Sequence, residues 1–212
     1  RQITSVISGS NLVRSREISE NWNNQFEKPL LIEQNSTIPV TCLVDVPEKV
    51  GPDRLLNVAA VNLLKGVDQP AIVVDSGTAV TIDAVSPQGE FLGGAILPGI
   101  LMGARAMHEF TTTLPLIDGQ RFLETPPNSI GKNTGDAMAS GLYWGHLGSI
   151  KELIQRVQNQ FDGEAQLFLT GGALPILSPY LPNGVCQPYL SLIGSIITAQ
   201  SILALKAEHE PS

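Results

Sequence analysis

The spacing of apolar residues changes character several times along the chain. Residues 1–50 hold short apolar runs that predict strands at 4–7, 29–32 and 39–46, the last being the clearest, with the polar stretch SREISENWNNQ between the first two. Helical spacing begins at GPDRLLNVAAVNLLKG, where Leu55, Leu56, Val58, Ala59, Leu63 and Leu64 make a broad apolar face that Gly66 ends. A run of four apolar residues, 71–74, predicts a buried strand. Two more strands follow through TAVTIDAV and EFLGGAILPG, then a helix over about 100–110. A long helix is expected from about 134 to 161, carried by Met138, Leu142, Leu147, Ile150, Leu153, Ile154 and Val157, with Asn133 and Asp136 spaced as a cap. The chain closes with a strand at 166–170, the Gly171–Gly172 pair and a helix from about 192 to 205. Strands alternating with helices predict an α/β layered fold whose strand ends are open to ligands.

Asp75 closes the apolar strand, and Gly77 lets the backbone approach a ligand without a Cβ in the way, which is the layout of a phosphate or metal site. Thr78 and Thr81 add hydroxyls, and Asp83 ends the same segment. The plainer reading is a hairpin turn in which Asp75 caps its own backbone. A strand ending in T-G-G exposes backbone N–H groups suited to an anion or a nucleotide edge, so Gly171 and Gly172 are candidates of the same kind. Asp53 sits in the first turn of a helix beside Arg54, where a carboxylate stays ionised and accepts a hydroxyl proton while the guanidinium forks to an anion. Helix capping and surface decoration account for the same pair. Arg105 and His108 lie on the 100–110 helix as a binding donor pair or as surface residues. Gly141, Gly145 and Gly148 interrupt the long helix, so something approaches its surface closely: a ligand, a helix of the same subunit or one across a dimer.

Composition narrows the classes. Of 212 residues, 42% are hydrophobic, enough for an ordinary core without staples, and the net charge of −7 disfavours nonspecific nucleic-acid binding and anionic membranes. Cys42 and Cys186 show neither C-x-x-C spacing nor a Cys/His cluster, so a reduced, cytoplasmic protein without structural zinc is expected. No signal-peptide pattern opens the sequence, and polar residues are expected to break every apolar run short of a membrane span. Walker A, Rossmann, H-E-x-x-H and G-x-S-x-G patterns are all absent.

Six segments, GPDRLLNVAA, DSGTAVTID, LGGAILPG, TTTLP, IGKNTGDAMASG and LTGG, occur in an order that resembles type III pantothenate kinases, a family of the acetate-and-sugar-kinase/Hsp70/actin-like superfamily. The resemblance covers roughly residues 46–194, and YLSLIGS resembles the family's closing strand before its final helix. It implies an α/β fold of two ribonuclease-H-like (actin-like ATPase) domains with mixed sheets and ATP in the intervening cleft. Residues 1–70 would be the remainder of the N-terminal domain and 71–212 the C-terminal one. The implied reaction is ATP-dependent phosphorylation of pantothenate at its primary hydroxyl, the first step of coenzyme A synthesis, by a homodimer using Mg2+ and a monovalent cation, K+ or NH4+.

On this chain the resemblance implies that Asp53 is the base, that Gly51 and Arg54 form part of the substrate pocket, and that Thr134 reaches the substrate across the dimer. Arg105 and His108 would join the substrate side. Asp75 would sit by the metal and phosphates, with Gly77, Thr78, Thr81, Gly171 and Gly172 on the nucleotide. The family's D-x-G-N-T phosphate loop is missing from these residues, so an incomplete first domain is expected. Three readings follow: an active kinase, a catalytically impaired homologue with a binding or regulatory role, or another phosphotransferase of the same fold.

Overall fold

A computed structural model describes residues 5–9, 12–23 and 25–209. In chain order its elements are β1 (Val6–Ile7), α1 (Leu12–Glu20), β2 (Leu30–Leu31), α2 (Pro52–Leu64), β3 (Ala71–Ser76), β4 (Ala79–Val85) and β5 (Phe91–Pro98). There follow α3 (Ile100–Glu109), α4 (Arg121–Glu124), α5 (Thr134–Gln158), β6 (Gln166–Thr170), α6 (Leu174–Leu177), β7 (Val185–Cys186) and α7 (Leu190–His209). Five strands form one sheet in the order β5-β4-β3-β6-β7, and β6 pairs with β7 in parallel. Neighbouring β3 and β4 are joined by only two residues, so they run antiparallel and the sheet is mixed. Numbered from β3, the strand order is 3-2-1-4-5, and the mixed sheet with its helices is the expected α/β class.

The chain divides into two compact units. Residues 1–71, 85–93 and 189–212 make the first, and 72–84 with 94–188 the second, so the last helix groups with the first unit rather than with residues 71–188. In the first unit, α2 is buried without interruption from Leu55 to Val61, because α7 packs along it. At Gly194 a Cβ would lie 1.9 Å from the Leu56 carbonyl oxygen, so the helix backbones meet directly. The C-terminal end of α2 holds the β4–β5 hairpin: Asn62 Nδ2 donates to the Gly89 carbonyl at 2.7 Å, and Lys65 Nζ to the Pro87 carbonyl at 2.6 Å.

In the second unit, Ile72 and Val74 of β3 and Val80 and Ile82 of β4 pack with Leu147 and Ile150 of α5 and Leu169 of β6. A second cluster joins Ile100 and Ala104 of α3 to Phe122, Met138, Ala139 and Tyr143. Each fully buried large side chain contributes about 1.5–3 kcal/mol, which makes this cluster pair the chief support of the unit.

Four expectations need correction. The polar stretch after residue 14 is mostly helix α1: its inward position is Ser15, with Ser19 half-buried a turn later, so no apolar stripe marks it. Only Cys42 of the 39–46 segment pairs, bridging Phe91 through Leu43 N–H to the Phe91 carbonyl and Phe91 N–H to the Thr41 carbonyl. Prolines 39 and 47 supply no donor, and Leu43 and Val46 are exposed, so no ladder extends from it. Residues of YLSLIGS enter α7 rather than a strand, since Leu190, Gly194 and Thr198 are buried at helical spacing. That helix also contains an 18-residue window, Leu190–Ala207, long and apolar enough to cross a membrane by length and composition, contrary to the expected interruption. Its packing on α2 supplies one reason for the apolar composition. The strand expected at 4–7 is observed as Val6–Ile7, paired in parallel with Leu30–Leu31, and Thr4 lies outside the described residues.

The α2–α7 contact predicts that Gly194→Ala lowers stability by about 1–3 kcal/mol through overpacking, read as a fall in Tm. An unchanged Tm would contradict direct backbone contact at this position.

Candidate functional site

Three segments of the second unit meet at the β3–β4 turn. Strand β3 is buried through Val74; Asp75 is half-buried, and Gly77 and Thr78 are exposed, so the chain surfaces at the carboxylate. The turn closes through Gly77 N–H to the Ala79 carbonyl at 3.0 Å. Between β5 and α3, Gly99 N–H donates to the Thr78 carbonyl at 3.0 Å, and a Cβ on Gly99 would stand 2.4 Å from the carbonyl oxygens of Gly77 and Thr78. From the turn after β6, Ala173 N–H donates to the Ser76 carbonyl at 2.9 Å. Gly171, with φ +94°, comes so close that a Cβ would lie 2.5 Å from the Ser76 oxygen and 2.6 Å from Asp75 Oδ1. Asp75, Gly77, Thr78, Gly171 and Gly172 are therefore gathered at one end of the sheet. Nothing lies within 4 Å of a Cβ built on Gly172, which is open.

Thr81 points elsewhere: its hydroxyl donates to Asp83 Oδ2 at 3.0 Å. Asp83 is fully buried beside Gly94, where a Cβ would be 2.0 Å from the Ile82 carbonyl oxygen. Sequence reasoning noted Asp83 only as the end of the motif; its alternation with Thr81 on one strand face was the available signal.

In the first unit, Gly51 precedes α2 and Asp53 occupies its first turn, exposed. The Arg54 guanidinium stacks 5.0 Å from the centre of the buried Phe91 ring. Burial pushes the Cys42 thiol above its ordinary pKa, against the opposing influence of the Val44 backbone and Arg54. Gly51 also lines a cavity of about 720 Å³ with residues 32–36 and 47–50.

The remaining candidates lie on α3 and α5. Arg105 and His108 are exposed on α3, and His108 Nδ1 is 2.8 Å from the Leu114 carbonyl, to which it donates. Thr134 opens α5, which is capped as expected: Asn133 Oδ1 accepts from Asp136 N–H at 2.9 Å, and Asn133 Nδ2 donates to Asp136 Oδ2 at 2.7 Å. Arg121 pairs with the other oxygen of Asp136. Gly141, Gly145 and Gly148 have nothing within 4 Å of a built Cβ, so no other helix among the described residues packs on them. His146, also on α5, is buried with Nε2 unpartnered among the described residues, and burial holds its pKa below the ordinary value, keeping it neutral.

The gathered donor set suits a nucleotide-borne cation. Asp75 offers one carboxylate, Thr78 a hydroxyl and the glycines backbone groups, all hard donors. Among the described residues no group of three or more His, Cys, Asp or Glu could hold a metal alone. Mg2+ is commonly bound through one or two carboxylates plus substrate phosphates, which this donor set matches. Ser76 Oγ, fully buried behind the turn, has no hydrogen-bond partner among the described residues.

Comparison with known proteins adds three findings. A family model described as type III pantothenate kinase matches residues 2–156. Curated type III pantothenate kinases of Gluconobacter oxydans (strain 621H) and Koribacter versatilis (strain Ellin345) are 40% and 36% identical over 78% and 82% of this chain. The matches cover 60% of each relative, so the chain spans about three fifths of the length of the curated relatives it matches. A solved Baf family protein of Campylobacter jejuni, 22% identical, superposes with a TM-score of 0.60 over 90% of this chain and 79% of its own, a likeness of fold.

The close approach at Gly171 predicts that Gly171→Ala costs about 1–3 kcal/mol, from the left-handed backbone and the clash with Ser76 and Asp75, whereas Gly172→Ala costs less than about 0.5 kcal/mol. Denaturant titration of both variants checks the contrast, and equal losses would contradict it.

Proposed function

We propose, because this chain belongs to the type III pantothenate kinase family, that the full-length protein phosphorylates pantothenate with ATP to give 4′-phosphopantothenate in coenzyme A synthesis. The observation that carries the reading is the family match over residues 2–156, which includes both Asp53 and Asp75. The gathering of Asp75, Gly77, Thr78, Gly171 and Gly172 at one sheet end supports it independently.

In this reading the primary hydroxyl of pantothenate attacks the γ-phosphorus of ATP, its proton passes to the Asp53 carboxylate, and ADP leaves. Asp53 suits the task because it is exposed in the first turn of α2. Gly51 and Arg54 shape the substrate side, the guanidinium being oriented by its stacking on Phe91. Thr134, Arg105 and His108 supply further substrate contacts. Asp75 would hold Mg2+ and a K+ or NH4+ ion together with the nucleotide phosphates, and Gly77, Thr78, Gly171 and Gly172 would present backbone and hydroxyl groups to them. Bound there, the cations neutralise charge on the phosphates. Thr81, whose proton goes to Asp83, has only its lone pairs to offer the nucleotide. The net charge of −7 supports the absence of a nonspecific nucleic-acid or anionic-membrane partner, and two cysteines without C-x-x-C spacing support a cytoplasmic location.

The uncovered glycines at 141, 145 and 148 support a homodimer in which α5 of one copy approaches the other closely. Thr134, on the same helix, would then complete the substrate site of the partner.

Mass spectrometry of the full-length protein with pantothenate and Mg-ATP should detect 4′-phosphopantothenate, formed faster in potassium than in sodium at equal ionic strength. Asp53→Asn should lower kcat by about 10²–10⁴ with the fold intact. No product in either salt would remove the substrate assignment, and unchanged turnover in the variant would remove Asp53 as the base. Light scattering of the same preparation should give a dimer; a fully active monomer would contradict the shared site.

A further inference from the structure

Lys132 stands beside Thr134 with its charge uncommitted. Its backbone is fixed on both sides. At Gly131 a Cβ would lie 2.1 Å from the Ala137 nitrogen, so the preceding residue lies flat on the first turn of α5, while Asn133 is held by its reciprocal bonds with Asp136. Two residues before Gly131, the Ser129 carbonyl accepts from Ser140 Oγ at 2.9 Å. The side chain is exposed and makes no hydrogen bond or ion pair among the described residues. The nearby cation, Arg121, is taken by Asp136.

Lys132 and Thr134 line one cavity of about 690 Å³, whose other walls include the apolar side chains of Met107, Leu114, Met138 and Leu142. The amide of Asn133 is used in capping, so the ammonium and the Thr134 hydroxyl are the polar side-chain groups left for a ligand here. Such a cavity fits a small molecule with an apolar body and one anionic end. Pantothenate has that form: a gem-dimethyl centre near the hydroxyl to be phosphorylated, and a carboxylate at the opposite end.

We infer that Lys132 recognises the substrate carboxylate and so selects pantothenate over neutral analogues. The inference rests on the proposed pantothenate kinase reading and on the substrate-side role given there to Thr134. Lys132 touches neither the reacting hydroxyl nor the phosphate, so its effect belongs to binding rather than to the chemical step.

The test uses the full-length protein, with pantothenate as substrate and pantothenol, in which a neutral hydroxymethyl group replaces the carboxylate, as competitive ligand. Lys132→Met should raise KM for pantothenate about tenfold or more, the scale of losing a hydrogen bond to a charged group, with kcat changed less than about twofold. The Ki of pantothenol should stay unchanged, and Lys132→Arg should restore most of the affinity for pantothenate. A merely structural role would move KM and Ki together, and that result, or an unaltered KM in Lys132→Met, overturns the inference while leaving the kinase reading in place. Wild-type protein that forms no phosphopantothenate overturns the kinase reading itself and this inference with it.

Discussion

The second unit depends on a backbone approach that tolerates no side chain: residues 75–78 are clamped between Gly99 on one side and Gly171 on the other. Strand β3 is buried on both faces, so its register is set by the core, and the clamp then determines where the chain surfaces. Asp75 emerges at that point, with Oδ1 against Gly171 and within 3.9 Å of a Cβ position on Gly77. A hairpin alone would leave the carboxylate mobile at a loop tip. Hydrogen bonds from Gly99 and Ala173 tie the turn to β5 and β6, giving the preorganisation that electrostatic binding of phosphates requires.

The first unit applies the same device to a helix pair. Gly194 brings α7 onto the Leu56 backbone, and α2 becomes buried through seven successive residues. Such a helix is held rigidly at its middle and presents its first turn outward, which is where Asp53 and Arg54 sit. Phe91, bridged to Cys42 and wholly buried, gives the Arg54 guanidinium a flat apolar face to rest on. The two candidate groups thus belong to a rigid element rather than to a free loop.

Much of this was legible in the residues. Leucine and alanine spacing identified α2, the short apolar runs identified β3 to β6, and Asn133 with Asp136 identified the start of α5. Misreadings arose where the inward position is not apolar or where burial is not one-sided. Ser15 faces inward on α1, so periodicity is silent there; α7 is apolar over most of its surface, so its first turn reads equally as a strand. Pairing partners distant in sequence were the other blind spot. Nothing local to DSG or to TGG says that Gly171 abuts Asp75, and nothing in GKNT distinguishes the uncommitted Lys132 from the capping residues beside it. Thr81 was assigned to the turn by proximity, whereas strand alternation directs its hydroxyl to Asp83.

Assigning the clamped turn as the phosphate end of a nucleotide site is the central claim, and backbone amide chemical shifts of the full-length protein titrated with Mg-ATP test it most directly. The account predicts the largest perturbations at Gly77, Thr78, Gly171 and Gly172, saturating together with a single Kd. Saturable binding that leaves these four amides unmoved and perturbs residues elsewhere would contradict it.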